Sequence, residues 1–465
     1  MGKHGAFITT KRETAGYRPK EERLKDYREV ERRLGPDKIQ EQGSRCMDCG
    51  VPFCHYACPV GNFIPDWNDL VFKGQWKKAV EILHESNPFP EFTGRVCPAL
   101  CESACVVGLS DEPITIRQNE ISIIEWGWEN GVITPFKPKK KTGKSVAVVG
   151  GGPAGMACAQ RLTRLGHTVT LFEADDKAGG ILRYGIPDFK LEKWVIDRRL
   201  KQMQEEGLTV KTGVRVGGDI SGKQLMKDFD AVALTIGARV PRDLKVEGRD
   251  LAGVHFAMDY LIQSNRRVAG AAFPPDKLID AKGKDVIVIG GGDTGADCVG
   301  TANRQGARSV TQLELLPKPP LCRTKEMPWP SHPALLKTSS SHEEGCDRRW
   351  SITTRKFLGK GGKIAGLVCA QVDPKLKELP GTDFELKADL VVLAMGFIHP
   401  DIEGSVTDLK LKTGPRGTIL TDKDLATSVA GVFAAGDAQR GASLVIWAID
   451  EGLRCAASID RFLLP

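Results

Sequence analysis

At 465 residues the chain is longer than one hydrophobic core can serve, so two to four domains are expected. Its 27% charged and 41% hydrophobic residues suit a soluble globular protein and exclude a low-complexity or fibrous one. A net charge of +7 with alternating signs gives no ground for nucleic acid as a partner.

The N-terminus, Met1-Gly2-Lys3-His4-Gly5-Ala6, has no apolar stretch fit for a signal peptide, and Ala6 spoils the acylation pattern that Gly2 suggests. No segment reaches the roughly 18 apolar residues of a membrane helix. A cytoplasmic chain that does not bind membranes is therefore expected. Thirteen cysteines in such a chain indicate metal or redox work rather than disulfides.

Residues 1–45 are polar, with helical character around Glu21 to Leu34 and a stop at Gly35-Pro36. Next comes Cys46-x2-Cys49-x4-Cys54-x3-Cys58-Pro59, and after a mostly helical interval Cys97-Pro-x2-Cys101-x3-Cys105. Thiolates two to four residues apart can converge on one cluster, as in bacterial ferredoxins. The alternative is zinc, with the same cysteines plus His55 filling two tetrahedral sites. His55 directly adjoins Cys54, a poor spacing for two ligands of one ion, and the neighbouring nucleotide unit favours iron–sulfur.

A helix is expected around Ile121 to Trp128, then a basic, proline-bearing linker over residues 135–141. Val146 to Val149 is a short apolar run, as in a strand buried on both faces. Gly150, Gly152 and Gly155 follow as G-x-G-x-x-G: one for a tight turn, one for close approach to a pyrophosphate, one for helix–strand packing. A helix from Ala154 to Leu165 ends at Gly166, and strand Val169 to Phe172 ends on Glu173, whose carboxylate can accept from a ribose hydroxyl. The Gly179-Gly180 turn lets a cofactor pass close to the backbone.

A buried strand, Asp230 to Gly237, precedes a return of the whole pattern. Val286 to Ile289, then Gly290, Gly292, Asp293, Thr294 and Gly295, a helix, and strand Ser309 to Leu313 ending at Glu314 repeat the first unit. Two units imply two dinucleotides. Glu314 favours a free 2′-hydroxyl and hence NADH over NADPH. Against it, Lys318, Arg323 and Lys325 follow on a loop and can cradle a phosphate. Residues 317–350 are read as one long irregular excursion, functional or disordered. A further strand runs from Leu390 to Gly396. Strand residues 431–435 lead to Gly436 and Asp437, the latter read as a flavin ribityl contact, and the last helix starts near Gly441 to Leu444.

These features resemble the two-dinucleotide flavoprotein disulfide reductases, in which an NAD(P)H domain interrupts the FAD domain. No C-x-x-C follows either glycine motif, since Cys158 and Cys298 stand alone, so disulfide reduction is not expected. The segments Met1-Gly-Lys, Arg23-Leu-Lys-Asp-Tyr27, Cys46-Met-Asp-Cys49-Gly-x-Pro-x-Cys54 and Gly185-Ile-Pro-Asp-Phe-Lys190 resemble the small (beta) subunits of glutamate synthases over essentially the whole chain. The electron-input half of dihydropyrimidine dehydrogenase is similar in the same modules.

The resemblance implies an α/β fold with two Rossmann-like domains behind a mainly helical iron–sulfur domain. The helical domain would take residues 1–144, the FAD domain 145–252 and 396–465, and the NAD(P)H domain 253–395. It implies hydride input from NADPH or NADH near Gly290 to Gly295 and Gly396, onto FAD held by Gly150 to Gly155, Glu173, Lys190, Val216 and Asp437. Two [4Fe–4S] clusters would then pass electrons to the large (alpha) subunit, in a hetero-oligomer that makes L-glutamate from L-glutamine and 2-oxoglutarate. Cys46, Cys49, Cys54 and Cys105 would hold one cluster. Cys58, Cys97 and Cys101 would hold most of the other, completed by Glu120, with Gln118 and His55 as lesser candidates. No side chain is named as catalytic, because hydride transfer needs orientation more than an acid or base, and no amidotransferase nucleophile is read in the chain. The alternatives are the flavin subunit of an NAD(P)H:ferredoxin oxidoreductase and, from another class, a non-catalytic zinc-stapled scaffold.

Overall fold

The computed structural model describes residues 2–464, so Met1 of the Met-Gly-Lys signature lies outside the described residues. The strands in chain order are β1 (Ser145–Val149), β2 (Thr168–Phe172), β3 (Thr209–Lys211), β4 (Ala231–Leu234), β5 (Val254–Phe256), β6 (Asp285–Ile289), β7 (Ser309–Glu314), β8 (Asp347–Trp350), β9 (Ile352–Lys360), β10 (Lys363–Gln371), β11 (Phe384–Lys387), β12 (Leu390–Leu393) and β13 (Val432–Ala434). One parallel sheet has the order β13-β4-β1-β2-β3, and a second has β5-β12-β6-β7-β8. In each, the strand before the glycine turn sits in the middle, between the strand bearing the acid and a short apolar strand. That is the topological switch point, where α/β sheets bind ligands beyond the strand ends.

The central strands are short runs of β-branched and small residues because both faces are covered. Val146, Ala147 and Val148 are fully buried. The helices Pro153–Leu165 and Val445–Leu463 cross where Gly452 faces Ala154 and Ala157; a Cβ on Gly452 would lie 3.0 Å from the Ala157 methyl. The antiparallel sheet β11-β10-β9 packs on the second nucleotide unit through Phe357, Ile364 and Leu367.

Ahead of the sheets lies a helical region with its own core of Ile39, Ile64, Trp67, Val71, Leu83 and Ile123, inside which Trp76 stacks on Trp126 at 5.7 Å. It is joined to the first unit by buried charge. Arg199 donates to Glu91 at 2.5 and 2.9 Å with both residues fully buried, and Arg95 and Arg198 both bind Glu125. Removing one partner of such a pair costs about 3–5 kcal/mol, because the other charge stays buried.

Three expectations fail. The helix around Glu21 to Leu34 is only Lys20–Arg23, and Gly35-Pro36 starts a helix instead of stopping one, with Gly35 as N-cap and Pro36 at its first position. Residues after Arg23 form an arm pinned by long-range contacts: Val30 N–H donates to the Phe189 carbonyl at 3.0 Å, and Arg23 pairs with Glu344 at 2.8 Å. The excursion over residues 317–350 is not wholly irregular. Helix Ser340–Glu344, with Ser339 in a capping box, leads into β8 alongside β7. Among the described residues no helix is long and apolar enough to cross a membrane.

Candidate functional site

The two glycine turns are built alike. Gly150 after β1 has φ +101°, and Gly290 after β6 has φ +126°. A Cβ on Gly150 would sit 2.5 Å from the Thr235 carbonyl oxygen, and one on Gly290 would press on the Ala394 carbonyl. Glycine is demanded there by backbone and by space alike. Gly155 and Gly295 are demanded by packing: a Cβ would meet Thr235 Oγ1 at 2.6 Å in one and Gln312 Nε2 at 2.7 Å in the other, besides the turn's own carbonyl.

Gly152 and Gly292 are different. They cap the helices Pro153–Leu165 and Asp293–Arg304 with φ −76° and −78° and ψ −174° in both, a conformation open to any residue. A Cβ on Gly292 would have no protein atom within 4 Å, and one on Gly152 only the Gly180 Cα at 3.9 Å. Neither backbone nor packing requires glycine, so a side chain would fill only the space above the helix end. Neither helix has a side-chain N-cap hydrogen bond. Such bare N-termini fit a pyrophosphate.

Both turns open into one cleft of about 1500 Å³, larger than the roughly 300–1000 Å³ of an ordinary small-molecule pocket. The first unit lines it with Gly150, Gly152, Ala154, Glu173, Gly180, Val216, Asp437 and Leu444, and the second with Gly290, Gly292, Asp293, Thr294, Glu314 and Gly396. The packing glycines Gly155 and Gly295 are not in the lining. Gly436 is also outside it; its N–H donates to Glu451 at 2.8 Å. Lys190, expected against FAD, is drawn instead to Asp297 of the second unit at 2.5 Å. Arg323, expected against NAD(P)H, donates to the carbonyls of Ser103 at 2.7 Å, Ser331 at 2.6 Å and Met327 at 3.3 Å, which ties the excursion to the cysteine region.

Burial raises the carboxyl of Glu173 above its ordinary range and pushes that of Asp437 up to about 6, where Ser443 holds it lower than burial alone would. Cys158 is buried beside Cys455, away from the cleft, so it presents no redox pair there.

The cysteines fall into two groups. Cys46, Cys49, Cys54 and Cys105 line one small cavity closed by Ile64, Val107, Ile114 and Ile116. Burial pushes the Cys46 thiol up to about 12, with Cys105 and Cys49 adding to it, and raises Cys54 for the same reasons. Cys58, Cys97 and Cys101 form the other group beside Glu120. Burial pushes Cys58 up to about 12 and Cys97 to about 11, each raised further by Glu120. A thiol that burial and its neighbours keep protonated is deprotonated outright when it coordinates a cation, which is the state a cluster would require of both groups. Glu120 itself is pushed up to about 7 by burial, while its Oε1 accepts from Thr93 Oγ1 at 2.7 Å and Asn87 Nδ2 at 2.8 Å. Of the lesser candidates, His55 Nδ1 lies 3.2 Å from the Asn62 carbonyl, and Gln118 donates to Glu31 at 2.5 Å.

Sequence reasoning did not single out Gln312 or His342, and it saw Thr235 only as the start of the Thr-x-Gly that ends the Asp230 to Gly237 strand, with no role. Thr235 Oγ1 donates to the Gly150 carbonyl at 2.9 Å, and Gln312 Nε2 to the Gly290 carbonyl at 2.9 Å. Thr235 carried a faint signal, as the polar residue following an apolar strand.

Residues 144–452 match the family described as pyridine nucleotide-disulphide oxidoreductase, and residues 23–132 match dihydropyrimidine dehydrogenase domain II, 4Fe-4S cluster. The chain is 50% identical to the "Glutamate synthase [NADPH] small chain" of Mycobacterium tuberculosis H37Rv, covering 100% of this chain and 96% of that one. It is 44% identical to the "Glutamate synthase [NADH]" of Schizosaccharomyces pombe over 99% of this chain, which spans 23% of that longer polypeptide. Among solved structures, Mycobacterium tuberculosis FprA in complex with NADPH covers 69% of this chain and 84% of its own, with a TM-score of 0.56 at 17% identity, a likeness of fold alone.

Proposed function

Because the chain belongs to the glutamate synthase small-chain family, we propose that it is the electron-input subunit of a glutamate synthase. It is an NAD(P)H-dependent oxidoreductase that delivers electrons to a large subunit, which forms L-glutamate from L-glutamine and 2-oxoglutarate. The observation that carries this reading is the single cleft lined by both glycine turns, which lets two dinucleotides meet. FAD, when bound, takes two electrons from the nicotinamide and gives them up singly, and each of two [4Fe–4S] clusters carries one.

The chain's own residues bind and orient. The helix N-terminus at Gly152 receives the FAD pyrophosphate, Glu173 its ribose, and Gly180, Val216, Asp437 and Leu444 complete its bed. Gly290 to Thr294 and Gly396 receive the second nucleotide. Cys46, Cys49, Cys54 and Cys105 hold one cluster; Cys58, Cys97, Cys101 and Glu120 hold the other. Lys190 and Asp297 set the two units against each other from outside the lining.

The domain limits fall at 144/145, 252/253 and 395/396, supported by one sheet drawing its strands from 145–234 and 432–434 and the other from 254–393. The chain works in the cytoplasm, in a hetero-oligomer with the large subunit. The full-length small-chain relatives favour this over a ferredoxin oxidoreductase, and the 4Fe-4S match over residues 23–132 favours it over a zinc-stapled scaffold.

Anaerobic titration of the holoprotein with NADH or NADPH tests the reading. Flavin absorbance should bleach, and the EPR signal of a reduced cluster should then appear. A flavin that no reduced nicotinamide bleaches would refute it.

A further inference from the structure

The two ribose-facing acids occupy the same place in their units. Glu173 accepts through Oε2 from the Gly151 N–H at 2.9 Å and through Oε1 from the Asp175 N–H, two residues on, at 2.9 Å. Glu314 accepts through Oε1 from the Leu316 N–H, likewise two residues on, at 3.2 Å, and its carboxylate lies where a side chain on Gly291 would stand. The first unit is the FAD site, and FAD carries a free 2′-hydroxyl on its adenosine ribose. A second carboxylate at the same place over the turn, sharing the bond from the N–H two residues on, accepts from a 2′-hydroxyl and repels a 2′-phosphate.

Most of the cations that follow Glu314 on the excursion and β8 are drawn to other partners. The cleft beside Glu314 is lined by Leu313, Leu315, Leu316, Ile352, Thr353 and Thr354, and its arginines are Arg215, Arg239, Arg242 and Arg440, of which Arg242 sits by the second unit, its N–H donating to the Gly396 carbonyl at 2.9 Å. Arg323 is spent on three carbonyls near the cysteine region. Lys318 and Arg348 flank the Trp350 ring at 5.1 and 5.0 Å, and Arg348 also donates to the Lys337 carbonyl at 3.0 Å. Arg349 pairs with Asp347 at 2.8 Å. Trp350 lies opposite Glu314 in the β7–β8 register, so Lys318 and Arg348 are the groups that a 2′-phosphate would have to pull off the ring.

We propose that Glu314 makes this chain selective for NADH, although bacterial small chains similar to it carry NADPH in their names. The proposal rests on the second glycine turn being the NAD(P)H site. It predicts kcat/KM for NADH at least about tenfold above that for NADPH, which is about 1.4 kcal/mol of discrimination, measured on the holoprotein with ferricyanide as acceptor. Glu314→Gln keeps an acceptor but removes the charge, and should shrink the ratio about tenfold or more, chiefly by lowering KM for NADPH. A ratio is insensitive to partial misfolding, which lowers both rates together. A wild-type chain that uses NADPH equally well or better overturns the proposal, and so does a Glu314→Gln ratio equal to the parent's. If NADPH is preferred and Lys318→Ala with Arg348→Ala abolishes that preference, the ring-bound cations are the readers and Glu314 is not. Flavin reduced by neither nucleotide would instead defeat the functional reading on which the proposal rests.

Discussion

In the first nucleotide unit Gly151, Ala154 and Gly155 are buried and Glu173 is 5% exposed, whereas in the second Gly292 and Asp293 are exposed and Glu314 is half-buried. The same turn carbonyl is held by different means. In the first unit the donor is Thr235, which directly follows β4 of the same sheet. In the second it is Gln312, whose Oε1 faces His342 Nε2 at 2.9 Å. His342 belongs to helix Ser340–Glu344, which Arg304 and the N-terminal arm's Arg23 anchor through Glu344. Both donors come from the turn's own sheet, but the first turn is enclosed, while the second is open and its donor is oriented by a chain of contacts reaching the N-terminal arm. That difference suits a resident cofactor in the first unit and an exchanging one in the second.

The sharpest way to break the comparison is to place the same methyl in both turns. Left-handed backbone costs a non-glycine residue about 1–3 kcal/mol, and each methyl would also meet a carbonyl. Gly150→Ala should yield protein depleted of FAD with a lowered melting temperature. Gly290→Ala should keep its flavin spectrum and lose reduction by NAD(P)H, as stopped-flow absorbance would show. FAD loss in both variants would mean that the units are not functionally distinct.

The cysteine groups offer a parallel contrast, since one has four thiols and the other three thiols and Glu120. Glu120→Ala leaves Asn87 and Thr93 without their buried acceptor, at about 1–3 kcal/mol. It should spare FAD and the first cluster while losing or altering the second. Iron content and an EPR spectrum equal to the parent's would remove Glu120 from the ligand set.

These contrasts also mark what was legible in the sequence. The glycine turns, their flanking strands, the acids that end β2 and β7, and the cysteine spacings are local patterns, and each is visible within about thirty residues. The roles of Thr235 and Gln312 are not local. Each is a polar residue in or beside an apolar strand, and only pairing of β1 with β4, or β6 with β7, brings it to the turn. The arm from Arg23 onward reads as helical because its charged residues suit a helix surface, yet Arg23, Asp26 and Glu29 are used in pairs with Glu344, Arg18 and Arg95. Gly35-Pro36 was misread because the same two residues can end one helix or begin the next. Arg323 was placed at a phosphate from its position after β7, which says nothing of the backward course of the excursion towards Ser103.

Smaller effects follow from the turn carbonyls. Thr235→Val and Gln312→Ala each remove a hydrogen bond worth about 0.5–1.5 kcal/mol. The first should speed FAD release and leave KM for NAD(P)H unchanged; the second should raise that KM several-fold with FAD retained. Equal effects on both ligands would erase the distinction.

The smallest is a pH effect. His342 Nδ1 accepts from the Ser339 N–H at 3.1 Å, so the neutral ring carries its proton on Nε2 and donates to Gln312. Burial, with Arg348 and Lys190 nearby, holds its pKa down to about 4. Below about pH 6.5 the unfolded chain takes up a proton that folded His342 refuses, so its contribution to stability falls as pH drops from there to about 4. His342→Gln should flatten that part of the stability profile, read by melting temperature against pH; an unchanged slope would assign it to other groups.

The central claim is that this chain supplies electrons and the large subunit makes glutamate. The direct measurement is glutamate formed from glutamine, 2-oxoglutarate and reduced nicotinamide by the holoprotein alone and by the holoprotein mixed with a glutamate synthase large subunit. The account predicts no glutamate from the chain alone, although it reduces ferricyanide, and sustained formation from the mixture. Glutamate made by the chain alone, or none made by the mixture while ferricyanide is still reduced, would contradict it.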